Sequence, residues 1–280
     1  VWSLGPYQGM KQLFGTPNAH LAYQVCKGPR HWAGIMTDEM GSPWMEVEAE
    51  PKVYLQWGTA VEYSNYDTTN RTISDVAPHA TAHICVDPRV TPLSKEADIW
   101  LPLRPGSDAA LALAMLHTII YEGLVNWEFV GEWCDGFEEL QEHVAEYTPE
   151  KVSEITGVPA ESIERAAKIH ATRIDPSTGY GNGGVQYQLA IEHSCNAIAM
   201  CRAMDTYIGL SGNWDVPAGH RGGTQGEFVF KAGLGAVAPG IPNISAEEFN
   251  KTLGIEDYPL LGWWQGWADD ASVWKAIETG

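Results

Sequence analysis

Three short apolar runs in this chain each close in a turn, and those turns hold the residues best suited to chemistry. Lys52-Val-Tyr-Leu-Gln-Trp57 is followed by Gly58-Thr59-Ala60, and Ala82-His-Ile-Cys-Val86 by Asp87-Pro88-Arg89-Val90-Thr91. Ala97-Asp-Ile-Trp-Leu101 leads into Arg104-Pro105-Gly106-Ser107-Asp108. Small residues such as Gly58 and Thr59 let backbone approach a phosphate closely. Asp87 can accept from ribose hydroxyls, with Arg89 and Thr91 as nearby donors. Asp108 can accept from the N1 and amino group of a guanine. This is nucleotide chemistry without a Gly-x-Gly-x-x-Gly sequence. Plainer readings stand beside it: Asp87-Pro88 as a simple turn, and Asp108 as a helix N-cap.

The elements that must position these residues follow from the pattern. Apolar runs closed by turn residues read as buried strands. In a parallel sheet, ligands lie beyond the carboxyl ends of the strands, so the first two turns face one crevice. A broad apolar face (Leu111, Leu113, Met115, Leu116, Ile119, Ile120) predicts a helix that starts at Ser107 or Asp108 and ends at Gly123. Further helices are expected over about 126–134, from Thr148-Pro149 onward, over 160–172 and over 191–210. A weaker helix is expected over 68–80 and another near 245–252, and a short strand over 178–184. Strands alternating with helices mean α/β with a mostly parallel sheet.

Composition narrows the function. The 280 residues carry a net charge of −19, which argues against nucleic acid and anionic membranes as partners. The 44% hydrophobic content suffices for a core, and no run of 18 apolar residues predicts a transmembrane helix. The acid is concentrated in 111–170 and the tail, whereas 51–110 is nearly balanced. The 5 Cys are scattered without a Cys-x-x-Cys pair, so a structural zinc site or cluster is unsupported. The missing initial Met and the 12 Trp suggest a piece of something larger. Composition shifts divide the chain into 1–50, a 51–211 core, and a loop-rich 212–280.

The order of Trp-Gly-Thr (57–59), Val-Asp-Pro-Arg-x-Thr (86–91) and Ala-Asp-Ile-Trp-Leu-Pro-Leu-Arg-Pro-Gly-Ser-Asp (97–108) resembles the molybdopterin oxidoreductases of the DMSO-reductase family. So do Tyr-Glu-Gly-Leu-Val-Asn-Trp-Glu-Phe-Val (121–130), Gly181-Asn-Gly-Gly-Val-Gln186 and Leu210-Ser-Gly-Asn-Trp-Asp-Val-Pro-Ala-Gly219. The likeness covers most of residues 15–226. It implies an α/β fold: a three-layer Rossmann-like parallel sheet flanked by helices, with irregular N- and C-terminal segments. Residues 51–211 would hold a nucleotide, and 1–50 and 212–280 would belong with an adjoining domain.

The resemblance implies molybdenum or tungsten held between two molybdopterin guanine dinucleotides. Asp87 would bind one ribose and Asp108 its base, with Gly106 in the same turn. Gly58, Thr59 and Arg89 would lie along the pyrophosphate with Thr91 beside them, and Gly183 and Gln186 would approach a pterin. Cys26 stands where the family places its protein ligand to the metal. A soft thiolate suits that metal, and Lys27, Arg30 and His31 would favour the ionised form. His31 is a candidate proton carrier. The plain alternatives are a small buried thiol and a structural histidine.

The family further implies a [4Fe–4S] cluster in a domain before this chain, a pterin-binding barrel after it, and an iron–sulfur electron-transfer subunit as partner. It places the enzyme in a bacterial cytoplasm or periplasm. Within the family, the Cys-Lys-Gly-Pro variant and the aromatic surroundings look nearest the branch of acetylene hydratase, pyrogallol–phloroglucinol transhydroxylase and catechol dehydroxylases. That favours two-electron oxygen or hydroxyl transfer on a small substrate. A non-redox hydratase, a nicotinamide dehydrogenase and a non-catalytic nucleotide-binding module are the rival readings.

Overall fold

The runs predicted as strands do pair, and all in one direction. A computed structural model describes residues 10, 13–18, 26, 28–37, 44–46, 49–64, 76–172, 183–187, 189–221, 245–258 and 268–279. The chain divides into two compact units, residues 27–223 and residues 1–26 with 224–280.

In the larger unit, α1 (Gly28–Thr37) and the two-residue β1 (Trp44–Met45) precede β2 (Val53–Trp57), α2 (Val61–Ser64) and β3 (Ala82–Val86). Then come α3 (Pro92–Glu96), β4 (Ile99–Leu101) and α4 (Asp108–Tyr121). Four more helices follow: α5 (Trp127–Trp133), α6 (Phe137–Val144), α7 (Pro149–Thr156) and α8 (Ala160–Ala171). The unit closes with β5 (Val185–Tyr187), α9 (Ala197–Leu210) and β6 (His220–Arg221). The main sheet has the order β4-β3-β2-β5 and is parallel throughout. β1 and β6 form a separate antiparallel pair.

Every residue of β2 is buried, which explains why its sequence is a continuous run rather than an alternation. The two faces nevertheless differ. Val53, Leu55, Trp57, Ile84, Val86, Ile99, Leu101, Val185 and Tyr187 join the main apolar core with Leu111, Met115, Leu116 and Ile119 of α4. Each such α4 side chain contributes about 1.5–3 kcal/mol by leaving water. The opposite row of β2, β3 and β5 is Tyr54, Gln56, His83, Cys85 and Gln186, also buried but mostly polar.

Helix ends follow their residue types. Thr148 accepts from the Lys151 N–H with Pro149 in the first turn, Asn126 accepts from Phe129 N–H, and Gly123 takes φ +70° after α4.

Three expectations change. The helix expected over 191–210 begins only at Ala197, because Glu192 is drawn into a buried turn instead. The strand expected over 178–184 appears at Val185–Tyr187, since the Gly183 and Gly184 N–H groups donate to Asn213 and Ala218 rather than to β2; residues 178–182 lie outside the described residues. Of the helix expected over 68–80, residues 76–80 form a turn about Val76, and 68–75 lie outside the described residues.

In the smaller unit, α10 (Ala246–Phe249) and α11 (Asp270–Thr279) are joined by Asp269, whose N–H donates to the Leu253 carbonyl. The Asp269 carboxylate accepts from Ser272 N at 2.8 Å and so caps α11. Among the described residues, no helix is long and apolar enough to cross a membrane.

Candidate functional site

Parallel pairing puts the ends of β2, β3 and β4 on one edge of the sheet. Gly58 turns away at φ +60° and donates to the Val86 carbonyl at 2.9 Å, which places it beside Asp87. Asp87 is 2% exposed. Its Oδ1 accepts from the Arg89 backbone at 2.8 Å and from Arg89 Nε at 3.3 Å, and its Oδ2 accepts from Arg89 Nη2 at 3.3 Å. The backbone bond is firm and the two side-chain bonds are long. The Arg89 side chain is 64% exposed, so the pair is loose. The hydrogen bond to Asp87 raises the Arg89 pKa further.

Beside this pair lie groups with spare capacity. Among the described residues, the N–H groups of Thr59 and Ala60 donate to nothing. Gln56 donates its amide to the Thr59 carbonyl, and its Oε1 is buried without a partner. Glu62 accepts from Leu93 N at 3.3 Å with one oxygen, and its other oxygen is buried and unpaired.

Asp108 joins this edge through the core. Its Oδ1 accepts from the Trp57 indole at 2.9 Å. Burial raises its pKa, and the bond from Trp57 opposes that rise. Ser107 occupies the N-cap position of α4, but its hydroxyl donates to the Arg104 carbonyl instead of capping. Gly106, at φ +87°, has open space where a Cβ would project.

The other expected residues fall elsewhere. Thr91 is buried as the N-cap of α3, its hydroxyl accepting from Ser94 N in a reciprocal capping box. Gly183 precedes β5 and so lies at the opposite edge of the sheet from Gly58. Its φ is +153°, and a Cβ there would meet the Val53 carbonyl oxygen at 2.3 Å. Gln186 is paired in register with Gln56, and its amide oxygen accepts from the Tyr54 hydroxyl. Cys26 is half-buried in a turn of the smaller unit. His31 is buried in α1 with its ring edge-on to Trp32.

The structure thus gathers Gly58, Thr59, Asp87 and Arg89 at one edge, with Asp108 linked through Trp57. Among the described residues, no three His, Cys, Asp or Glu side chains are grouped to hold a metal.

Sequence reasoning missed a buried polar network. Arg30, expected to lower the pKa of a thiol, instead pairs with Glu192, 162 residues away. Tyr187 donates to Asp205 at 3.0 Å. His220 Nε2 lies 2.7 Å from the Val185 carbonyl, and its ring stacks on Tyr187. Burial depresses three imidazoles: His83 and His170 to about 4, and His220 to about 3. The only sequence signal was a lone acid, Glu192, after an apolar residue.

The model of the molybdopterin oxidoreductase family matches residues 19–245. Dopamine dehydroxylase of Eggerthella lenta is 33% identical, over all of this chain and 42% of its own length. Formate dehydrogenase H of Escherichia coli is 28% identical, over 89% of this chain and 35% of its own. The solved structure of acetylene hydratase from Pelobacter acetylenicus has a TM-score of 0.72 at 30% identity, covering 92% of this chain and 34% of that one. The chain therefore spans less than half the length of these relatives.

Proposed function

The chain belongs to the molybdopterin oxidoreductase family, and we propose that it is the nucleotide-holding centre of a larger molybdenum or tungsten enzyme. The complete enzyme would carry two molybdopterin guanine dinucleotides and an upstream [4Fe–4S] cluster, and would draw electrons from an iron–sulfur partner. The observation that carries this reading is the strand-end cluster: unpaired Thr59 and Ala60 N–H groups beside a buried Asp87 and a loosely held Arg89.

That cluster fits a dinucleotide in its donor set. Backbone amides and one exposed guanidinium suit a pyrophosphate without creating a basic surface. A carboxylate has about four acceptor sites, so Asp87 retains room for one ribose hydroxyl, and for another where it displaces a long bond from the Arg89 side chain. Asp108 would meet the guanine, with the open turn at Gly106 giving access. Gly183 and Gln186, away from that edge, are the segment proposed to face a pterin. Cys26 would be the protein ligand to the metal, and His31 would move a proton. When bound, the cofactor supplies two-electron redox chemistry.

The match to dopamine dehydroxylase along the whole chain supports hydroxyl removal from a small aromatic such as a catechol. Each hydroxyl lost as water consumes two electrons and two protons. The likeness to acetylene hydratase supports a second reading, addition of water with no net electron transfer. Metal and pterin analysis of the full-length protein tests the family-level function, and protein lacking both would refute it. Turnover of catechols with a reduced dye distinguishes the two reactions. Turnover of an unsaturated substrate with no electron donor would replace the first reading with the second. Cys26→Ala is expected to abolish turnover while pterin remains bound.

A further inference from the structure

α1 begins two residues after Cys26 in the chain, and Arg30 lies in its first turn. Arg30 is 4% exposed, and its guanidinium donates to Glu192 Oε1 through Nε at 2.9 Å and Nη2 at 2.5 Å. The other Glu192 oxygen accepts from Leu189 N at 2.6 Å. Leu189 sits at φ +44°, a left-handed conformation that a leucine keeps only when its surroundings hold it there. The same guanidinium lies over the Tyr187 ring at 4.8 Å, and Tyr187 donates to Asp205 of α9. One charged group thereby joins the first turn of α1, the end of β5, the turn after β5 and, through Tyr187, α9.

A buried ion pair is a poor source of stability, because desolvation of both charges offsets their attraction; apolar residues of the same volume often serve a fold as well or better. What the pair supplies is a single allowed geometry, since neither charge can leave its partner without being stranded. α1 also packs along α9, with Ala33 fully buried in the main core, but that apolar contact carries no directional bond.

We infer that the Arg30–Glu192 pair is a positioning device that locks the first turn of α1, the turn nearest Cys26 in the chain, against the end of β5. The inference rests on the reading of Cys26 as the ligand to the metal. Arg30 and Glu192 are positioning residues, and neither touches substrate or metal in this role.

The test uses the full-length, metal-loaded protein. Arg30→Met/Glu192→Leu replaces both charges with apolar groups of similar size. The expected result is unchanged resistance to urea, with amide hydrogen exchange about tenfold faster across residues 28–37 and unchanged across 111–120. The EPR signal of the bound molybdenum or tungsten should split into more than one species. Arg30→Lys keeps the charge but loses the planar fork, and should show both changes to a smaller degree. Wild-type exchange across 28–37 in both variants would overturn the inference. So would an equal rise across 111–120, or failure of the double variant to fold, since the pair would then serve the whole fold. Cys26→Ala measured alongside separates the two readings. If it leaves the metal signal unchanged, Cys26 is not the ligand, and exchange across 28–37 alone decides the role of the pair.

Discussion

Mild acid should destabilise this protein through three buried imidazoles. His83, His170 and His220 are 4%, 0% and 1% exposed. Burial holds them neutral, with pKa values of about 4, 4 and 3. In the unfolded chain each returns to about 6.5. As pH falls through 6.5, the unfolded chain takes up three protons that the folded chain refuses, so unfolding becomes easier. Stability is complete above the unfolded value and is lost down to the folded values. Each proton is worth about 1.4 kcal/mol per pH unit, so the three give a slope of about 4 kcal/mol per unit near pH 5. Between pH 6.5 and about 4.5 the loss is roughly 6 kcal/mol, comparable to the whole stability of many domains. Urea denaturation at closely spaced pH values, followed by tryptophan fluorescence, measures the slope. Replacing one imidazole, as in His83→Gln, should lower it by about 1.4 kcal/mol per unit. A slope of one proton or less between pH 6 and 5, or no change in the variant, would show that these rings are protonated in the folded state and refute the reasoning.

Other outcomes follow from single contacts. Gly183→Ala places a Cβ against the Val53 carbonyl at a φ that alanine avoids; it should cost about 2–4 kcal/mol in the same urea assay by prising β5 from β2. Trp57→Phe strips the half-buried Asp108 carboxylate of its indole donor; it should cost about 1–2 kcal/mol at neutral pH, and less where Asp108 is protonated. Asp87→Asn in the full-length protein should lower the guanine nucleotide released on denaturation, whereas Arg89→Ala, removing a loose exposed group, should lower it less. Equal nucleotide content in Asp87→Asn and wild type would refute the ribose role.

The strands and the turns that follow them were legible because both signals are local. A run such as Val53–Trp57 needs only its own side chains and Gly58 to declare a buried strand and its end. The turn residues at 58–59 and 87–89 could therefore be assigned to one edge once the sheet was taken as parallel, and the structure places them there. Helix α4 was legible for the same reason, including its end at Gly123.

The partners of charged groups were not legible. Arg30 stands in sequence beside Cys26, yet the fold gives its charge to Glu192. Glu192 in turn leaves a stretch that reads as helix and becomes part of a buried turn. Asp108 looked like a cap and instead receives the indole of Trp57. Gly183, which read as a loop approaching a ligand, needs its missing side chain to lie against Val53. The sequence by itself determined the α/β class, the strand ends and the family, because these follow from short-range pattern and motif order. Only the tertiary structure decided which polar groups meet, because a buried charge takes the partner that the packed chain brings within reach, and sequence distance does not record that choice.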